Sequence, residues 1–272
     1  MSKVQVLCTT MNQKDLTKYY EMNIQSDVIF ANQTSEYSCI ETMIEENTVR
    51  MISTSHRGVG KNRNTALLNA EEGICLFADD DVTYVDTYPA IVKQAFNEIS
   101  DADIIIFNLT TKSDRKPKNC TKVRRCRIWN ILSYGTYRIG FRLQEINKAN
   151  VWFTQLFGGG AKYPSGEDTI WLIDALRKGL KIYTYPVVIG SVKQEDSTWF
   201  KGYDSEYFFG RGALVQAALP RQKYLLFCYY LMRFKTLSTL STKKMFKMLL
   251  LGAKAYNNNL SFEDISISDV KG

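Results

Sequence analysis

Short apolar runs, each closing on polar residues, recur through the first 110 positions of the chain. "KVQVLC" runs into "TTMNQKD", "DVIFAN" into a polar turn, "VRMIS" into "TSHRGVGKNRN", and "GICLFA" into three consecutive aspartates. Each reads as a buried strand whose carboxyl end reaches solvent. Helical patterns come between them. Ala66, Leu67 and Ala70 share one face of a helix, and "YPAIVKQAFNEIS" is helix-like. "ADIIIFNL" is continuous in isoleucine, which predicts a strand buried on both faces. Strands alternating with helices predict an α/β fold around a mostly parallel sheet. In such sheets ligands gather outside the carboxyl ends of the strands, where Asp79, Asp80 and Asp81 fall.

The pattern changes from about residue 112. "TKSDRKPKNCTKVRRCR" is basic and aperiodic, which predicts a solvated loop or crossing segment. "YGTYRIGFRLQEI" alternates as a strand or hairpin would. "TIWLIDALRKGL" predicts a helix closed by Gly179, and "KIYTYPVVIGSV" a late strand. Beyond residue 220, "KYLLFCYYLMRF" and "KKMFKMLLLGAKAY" are apolar blocks edged by lysine and arginine. Both are too short to span a bilayer. They suit either an interfacial helix pair on anionic lipid or an ordinary helical appendage packed on the core or in a homodimer. The start, "MSKVQVLCTT", lacks a signal peptide's apolar stretch. The expected location is therefore the cytoplasm, with peripheral contact to the inner face of the cell membrane through the tail.

Composition narrows this picture. The chain has 272 residues, 45% of them hydrophobic, enough for one large α/β domain or for a domain plus a small appendage. The net charge of +7 favours a polyanionic partner such as a nucleotide, an anionic lipid or nucleic acid. The 6 cysteines form no CxxC pair, so free thiols are expected.

Three clusters carry candidate chemistry. Adjacent Asp79, Asp80 and Asp81 repel one another, and a divalent cation would relieve that. Mn²⁺ or Mg²⁺ takes oxygen ligands and commonly shares its shell with substrate phosphates. In "SHRGVGKNRN" the resemblance to a P-loop fails, because Ser55 replaces its first glycine and Asn62 its magnesium-binding hydroxyl. Arg57, Lys61 and Arg63 still bring positive charge to a helix start, which favours anions. In "GGGAKYPSGEDTIW", three glycines admit close approach to the backbone. Glu167 and Asp168 then open a helix. Capping accounts for one of these carboxylates, and the other is either structural or a general base.

"VLCTTMNQ", "RGVGKNRNTAL", "ICLFADDDVTY", "GGGAKYPSGEDTIWL" and "DSTWFKGYDSEYFFGRGAL", in this order over residues 3 to 212, resemble a bacterial family 2 inverting glycosyltransferase. The nearest type builds capsular polysaccharide, exopolysaccharide or lipopolysaccharide. The resemblance implies the GT-A fold, with a Rossmann-like sheet in a catalytic domain over 1–219. Its donor half would cover about 1–110 and its acceptor half 111–219, with 220–272 as a helical appendage. The implied activity moves a sugar from a nucleotide sugar, usually a UDP-sugar, to a saccharide acceptor or one linked to polyprenyl diphosphate, with no nucleic acid as partner.

Carried over by motif, the donor set is Thr9, Gln33, Arg57, Arg63, Asp79, Asp80 and Asp81. Asp81 and Asp79 would bind Mn²⁺ or Mg²⁺. Asp168 would be the base, with Glu167 orienting it or touching the acceptor. Gly159, Gly160 and Trp199 would face the acceptor. Two departures stand out. Asn32 and Gln33 replace an acidic reader of uracil. The metal-ligating histidine before "STW" is missing, since the sole histidine is His56. Two other readings compete. One is a basic membrane- or nucleic-acid-binding module without catalysis. The other is a nucleotidyltransferase, which would need an amino-terminal glycine-rich loop that "VLCTTMNQKD" does not supply.

Overall fold

The computed structural model describes residues 3–71, 73–111, 119–193 and 202–265. Its centre is a ten-stranded sheet. Strands β1 (Val4–Met11), β2 (Asp27–Gln33), β4 (Asn47–Thr54) and β5 (Ile74–Asp79) lie side by side in the order β4-β2-β1-β5, all parallel. Strand β9 (Ile139–Arg142) enters antiparallel between β5 and β7 (Ile104–Thr111). Strand β10 (Ile182–Val192) runs parallel to β7. Six strands thus share one direction. The other four, β3 (Ser38–Ile44), β6 (Val82–Tyr84), β8 (Arg124–Arg125) and β9, oppose it.

Period-two alternation splits the apolar residues between two cores. Leu7, Cys75, Phe77, Ile104 and Ile106 face one side of the sheet. There they meet α2 (Val59–Leu68), α4 (Leu143–Ala149) and α5 (Glu167–Arg177). Val6, Cys8, Leu76, Ala78, Ile105 and Phe107 face the other side. They meet α3 (Tyr88–Glu98) through Tyr88, Val92, Ala95 and Phe96, and the short α1 (Lys18–Glu21) through Tyr19. The isoleucine run is indeed buried on both faces.

Two segments differ from their sequence pattern. Residues 38–44 pair with β4 as a hairpin although nearly every side chain is exposed, so burial leaves no mark on their sequence. "YGTYRIGFRLQEI" is neither hairpin nor long strand. A 3-10 turn (Thr136–Arg138) precedes the four residues of β9, and helix α4 follows. Gly140 makes room for that short strand, since a Cβ there would lie 2.9 Å from the Leu76 side chain and 3.0 Å from Phe107. Among the described residues the cysteines are free thiols.

The end of the chain is helical. Helix α6 (Ser205–Ala218) precedes α7 (Lys223–Phe234) and α8 (Thr242–Asn257). Met245, Met248, Leu249, Ala253 and Ala255 of α8 belong to the same core cluster as Phe77. Helices α6 and α8 approach backbone to backbone. A Cβ on Gly212 would lie 2.0 Å from the Leu249 carbonyl oxygen, and one on Gly252 1.9 Å from that of Phe209. Gly252→Ala is expected to force these helices apart and lower stability by about 1–3 kcal/mol, the usual cost of overpacking. Urea denaturation checks this, the midpoint falling while the slope is unchanged.

Candidate active site

The carboxyl ends of β1, β2 and β5 set the floor of the site. Register places Thr9 beside Asp79 and Thr10 beside Asn32. The Thr9 hydroxyl donates to Asp79 Oδ1 at 3.0 Å, and the Thr10 hydroxyl donates to Asp80 Oδ2. Asp80 and Asp81 form the turn from β5 into β6, and the Lys193 amide holds that turn by donating to the Asp81 carbonyl at 3.0 Å. Burial first, then the neighbouring Asp79 and Asp80 charges, push the Asp81 carboxyl up to about 7. Lys18 on α1 opposes this shift.

Arg63 joins this floor to the opposite wall. It projects from α2 and is 5% exposed. Its Nη2 donates to Asp79 Oδ1 at 3.2 Å, while Nη1 donates to Glu167 Oε1 at 2.8 Å and Asp168 Oδ1 at 2.9 Å. Its guanidinium carbon sits 5.4 Å from the centroid of the Phe153 ring, which stacks on the buried Trp171. Burial alone would favour a neutral group, but Asp168, Asp79 and Glu167 outweigh it and hold the proton more firmly. Arg63 is thus committed to carboxylates rather than reaching freely toward a ligand.

The wall itself is the start of α5. The N-cap is Gly166, at φ 120°. Glu167 turns back so that Oε2 accepts the Gly166 amide at 3.0 Å. It therefore ties down the N-cap residue and binds Arg63, which accounts for it structurally. Asp168 does not cap. It accepts the Thr136 hydroxyl and, at 3.2 Å, the Thr136 amide. Its side chain keeps 26% exposure. Burial and the adjacent Glu167 push its carboxyl up to about 7, against the pull of Arg63 and Thr136.

Other predicted site residues take different places. Gln33 Oε1 accepts the Gly58 amide at 3.0 Å and so anchors the start of α2. Asn32 bonds both backbone groups of Gln13 and the Ser53 hydroxyl, so its amide is engaged internally. Arg57 is exposed just before α2. The glycine triplet does admit a close approach, but what approaches is the protein. The Gly159 carbonyl accepts the Val59 amide at 3.0 Å, and a Cβ on Gly158 would lie 2.9 Å from the Glu167 carboxyl carbon. Gly159 and Gly160 are exposed beside it. Trp199 lies outside the described residues. Sequence reading missed Thr10, Lys18, Thr136 and Tyr137. Tyr137 is held up mainly by burial, with the charges of Asp79, Asp168 and Asp81 adding to it. Thr9 is reached by motif, but nothing in the sequence marks these other hydroxyl side chains.

Among the described residues, no group of three or more His, Cys, Asp or Glu is arranged to hold a metal ion. The oxygen set of Asp79 and Asp81 nevertheless fits Mn²⁺ or Mg²⁺, which often take only one or two protein carboxylates and complete their shell with substrate phosphates and water. The reluctance of Asp81 to ionise beside two other aspartates is the electrostatic demand such a cation would satisfy.

No protein-family model matches the chain, and no curated protein matches its sequence. Solved structures do match its fold. S. aureus TarS 1–349 in complex with UDP-GlcNAc superposes with a TM-score of 0.62 at 12% identity, over 96% of this chain and 93% of that one. The same protein in complex with UDP gives 0.60 at 12% identity, over 97% and 94%. The longer S. aureus TarS gives 0.57 at 13% identity, over 98% of this chain and 46% of that one. The chain has the GT-A fold. At this identity the likeness is one of architecture, and the GT-A sheet ends here in the acid cluster just described.

The Arg63 interactions make a stability test. Arg63→Met leaves three carboxylates facing one another, and is expected to cost about 3–5 kcal/mol. A carboxyl whose folded pKa exceeds its unfolded value loses stability as pH rises between the two. Asp168 already shows this, from its ordinary 3.8 to about 7, and losing Arg63 extends it. In metal-free buffer the deficit should be largest near pH 8 and shrink toward pH 5, measured by denaturant unfolding at both values.

Proposed function

We propose that the protein is an inverting glycosyltransferase. It takes a nucleotide sugar, best a UDP-sugar, and transfers the sugar to a saccharide acceptor in bacterial surface polysaccharide synthesis. The observation that carries this reading is the acid cluster tied by Arg63 across the carboxyl ends of β1 and β5. It puts a carboxylate pair suited to a metal–diphosphate and a carboxylate suited to a base on facing walls. The shared fold with a protein crystallised with UDP-GlcNAc supports the donor class.

The reaction needs two things from these residues. The acceptor hydroxyl attacks the anomeric carbon, the bond from that carbon to the diphosphate oxygen breaks, and the hydroxyl proton goes to a base. Asp168 is that base. It is partly exposed, oriented by Thr136, and its raised pKa keeps its proton affinity high enough to be useful near neutrality. On the donor side Asp79 and Asp81 would hold Mn²⁺ or Mg²⁺, which supplies neutralisation of the charge developing on the leaving diphosphate. Arg63 keeps Asp79 and Asp168 at fixed separation, and Glu167 fixes Arg63. A nucleic-acid-binding module is disfavoured by the site's own charge, since Asp79, Asp80, Asp81, Glu167 and Asp168 would repel a phosphate backbone.

Two experiments test this. Calorimetry should show UDP binding that Mn²⁺ strengthens and chelator weakens. Asp81→Asn should lose that metal dependence, whereas Asp168→Asn should bind UDP normally yet lower turnover by about 10²–10⁴. Equal loss of UDP binding in both variants would reverse the assigned roles.

The pH profile is the second test. Asp168 works only when deprotonated, so kcat/KM should climb through about pH 7 and level off above it. The Thr136 hydroxyl lowers this pKa, so Thr136→Val should move the midpoint upward. A profile flat from pH 5 to 8 would remove Asp168 as the base.

A further inference from the structure

Helix α7 is apolar on both sides. Leu226, Phe227, Tyr230, Leu231 and Phe234 turn inward, buried or packed against the core. On the outward side, Tyr224, Leu225, Tyr229 and Met232 are 59%, 63%, 51% and 75% exposed, with exposed Cys228 among them. Their spacing of one, four, five and eight residues puts all five on one helical face. A solvated face of this composition is unusual in a soluble surface helix and marks an interaction surface.

Charge identifies what covers it. From Tyr207 to Phe262 the sequence contains nine lysines and arginines and neither aspartate nor glutamate. The chain's net +7 is therefore +9 in this segment and −2 in all the rest. Arg221, Lys223, Arg233 and Lys235 border the apolar face, and among the described residues none of them forms an ion pair with a carboxylate. A second copy would bring a like-charged face against this one, which is repulsive. Nucleic acid would match the cations but leave the leucine and methionine in water. An apolar face bordered by long basic side chains matches an anionic lipid leaflet, where the apolar groups enter the acyl boundary and the cations reach the headgroups.

We propose that the outer face of α7 docks the protein on an anionic membrane surface. No helix of the described residues is long and apolar enough to cross a bilayer, so the contact lies in the interface plane. It reaches the candidate active site through one packed block. Helix α6 touches both α7 and α8, and Leu214 of α6 lies where a Cβ on Gly166, the N-cap of the helix bearing Asp168, would be at 2.7 Å. The Lys162 amine and the Tyr163 hydroxyl donate to the Asn259 and Leu260 carbonyls at 2.7 and 2.8 Å. Docking would thus fix the orientation of the acid cluster relative to the leaflet. The inference does not rest on the sugar-transfer reading.

Flotation of the full chain with lipid vesicles tests it. The protein should float with phosphatidylglycerol vesicles at low salt and remain behind with pure phosphatidylcholine. Binding should fall steeply at about 1 M salt, where screening shortens to roughly 3 Å. The double variant Leu225→Glu with Met232→Glu alters only exposed positions, so its circular dichroism and melting should match the wild type, while its vesicle partitioning falls at least about tenfold. A dye on Cys228, in a Cys39→Ser background, should shift to the blue on anionic vesicles only. Failure to float, equal flotation on both lipids, or unchanged flotation of the double variant would overturn the proposal. So would a concentration-dependent dimer that the double variant disperses while vesicles are ignored, because a second copy would then be the occupant.

Discussion

One buried guanidinium holds the site together. Arg63 lies between Asp79, at the end of a strand 16 residues away, and Asp168, at the start of a helix 105 residues away. Burying a cation is costly unless carboxylates surround it, and bringing carboxylates together is costly unless a cation lies between them. Each half of the arrangement makes the other tolerable. The packing of α2 therefore has to be tight, and it is. Asn64 bonds both the amide and the carbonyl of Phe153 at 2.9 Å, and a Cβ on Gly60 would lie 2.3 Å from the Thr154 carbonyl. With α2 clamped on that loop, the Arg63 side chain has one place to go.

The acids of this cluster were legible in the sequence because they break a rule. Three adjacent carboxylates after five apolar residues are more than a solvated turn or a cap requires, and a glutamate–aspartate pair at a helix start has one carboxylate more than capping requires. In the structure Glu167 is absorbed by the Gly166 amide and Arg63, while Asp168 binds Arg63 and Thr136 and stays partly exposed. Thr136 and Thr10 were not legible. Their hydroxyls matter only because a 3-10 turn and a strand register bring them to Asp168 and Asp80, and nothing in "YGTYR" or "CTTM" records that. The glycine triplet was legible as a place of close approach, but a one-dimensional reading could not distinguish an approaching ligand from the approaching end of α2.

The fold follows the same logic. Strands buried on both faces announce themselves, as "IIIF" does, because water is excluded from every side chain. Strand β3 is exposed along its length and depends on backbone pairing with β4, so its side chains were free to be "SCIETMI". Strand β9 is central but only four residues long, and the alternation that marked it continued into α4, where Leu143 and Ile146 are buried at helical spacing.

Net charge alone could not say where on the protein its partner binds. The value of +7 favours a polyanion, but the charge is not spread evenly. Five carboxylates, Asp79, Asp80, Asp81, Glu167 and Asp168, gather at the end of β5 and the start of α5, three of them on Arg63, and the cationic excess sits in the segment that builds α6, α7 and α8. Fields of opposite sign on one small protein act on different partners. Clustered carboxylates of this kind repel anions and attract cations. Had the cations been placed around the aspartates instead, they would have neutralised them pairwise and lowered the Asp81 and Asp168 carboxyls. Segregating the charges along the chain leaves the Asp81 and Asp168 carboxyls raised.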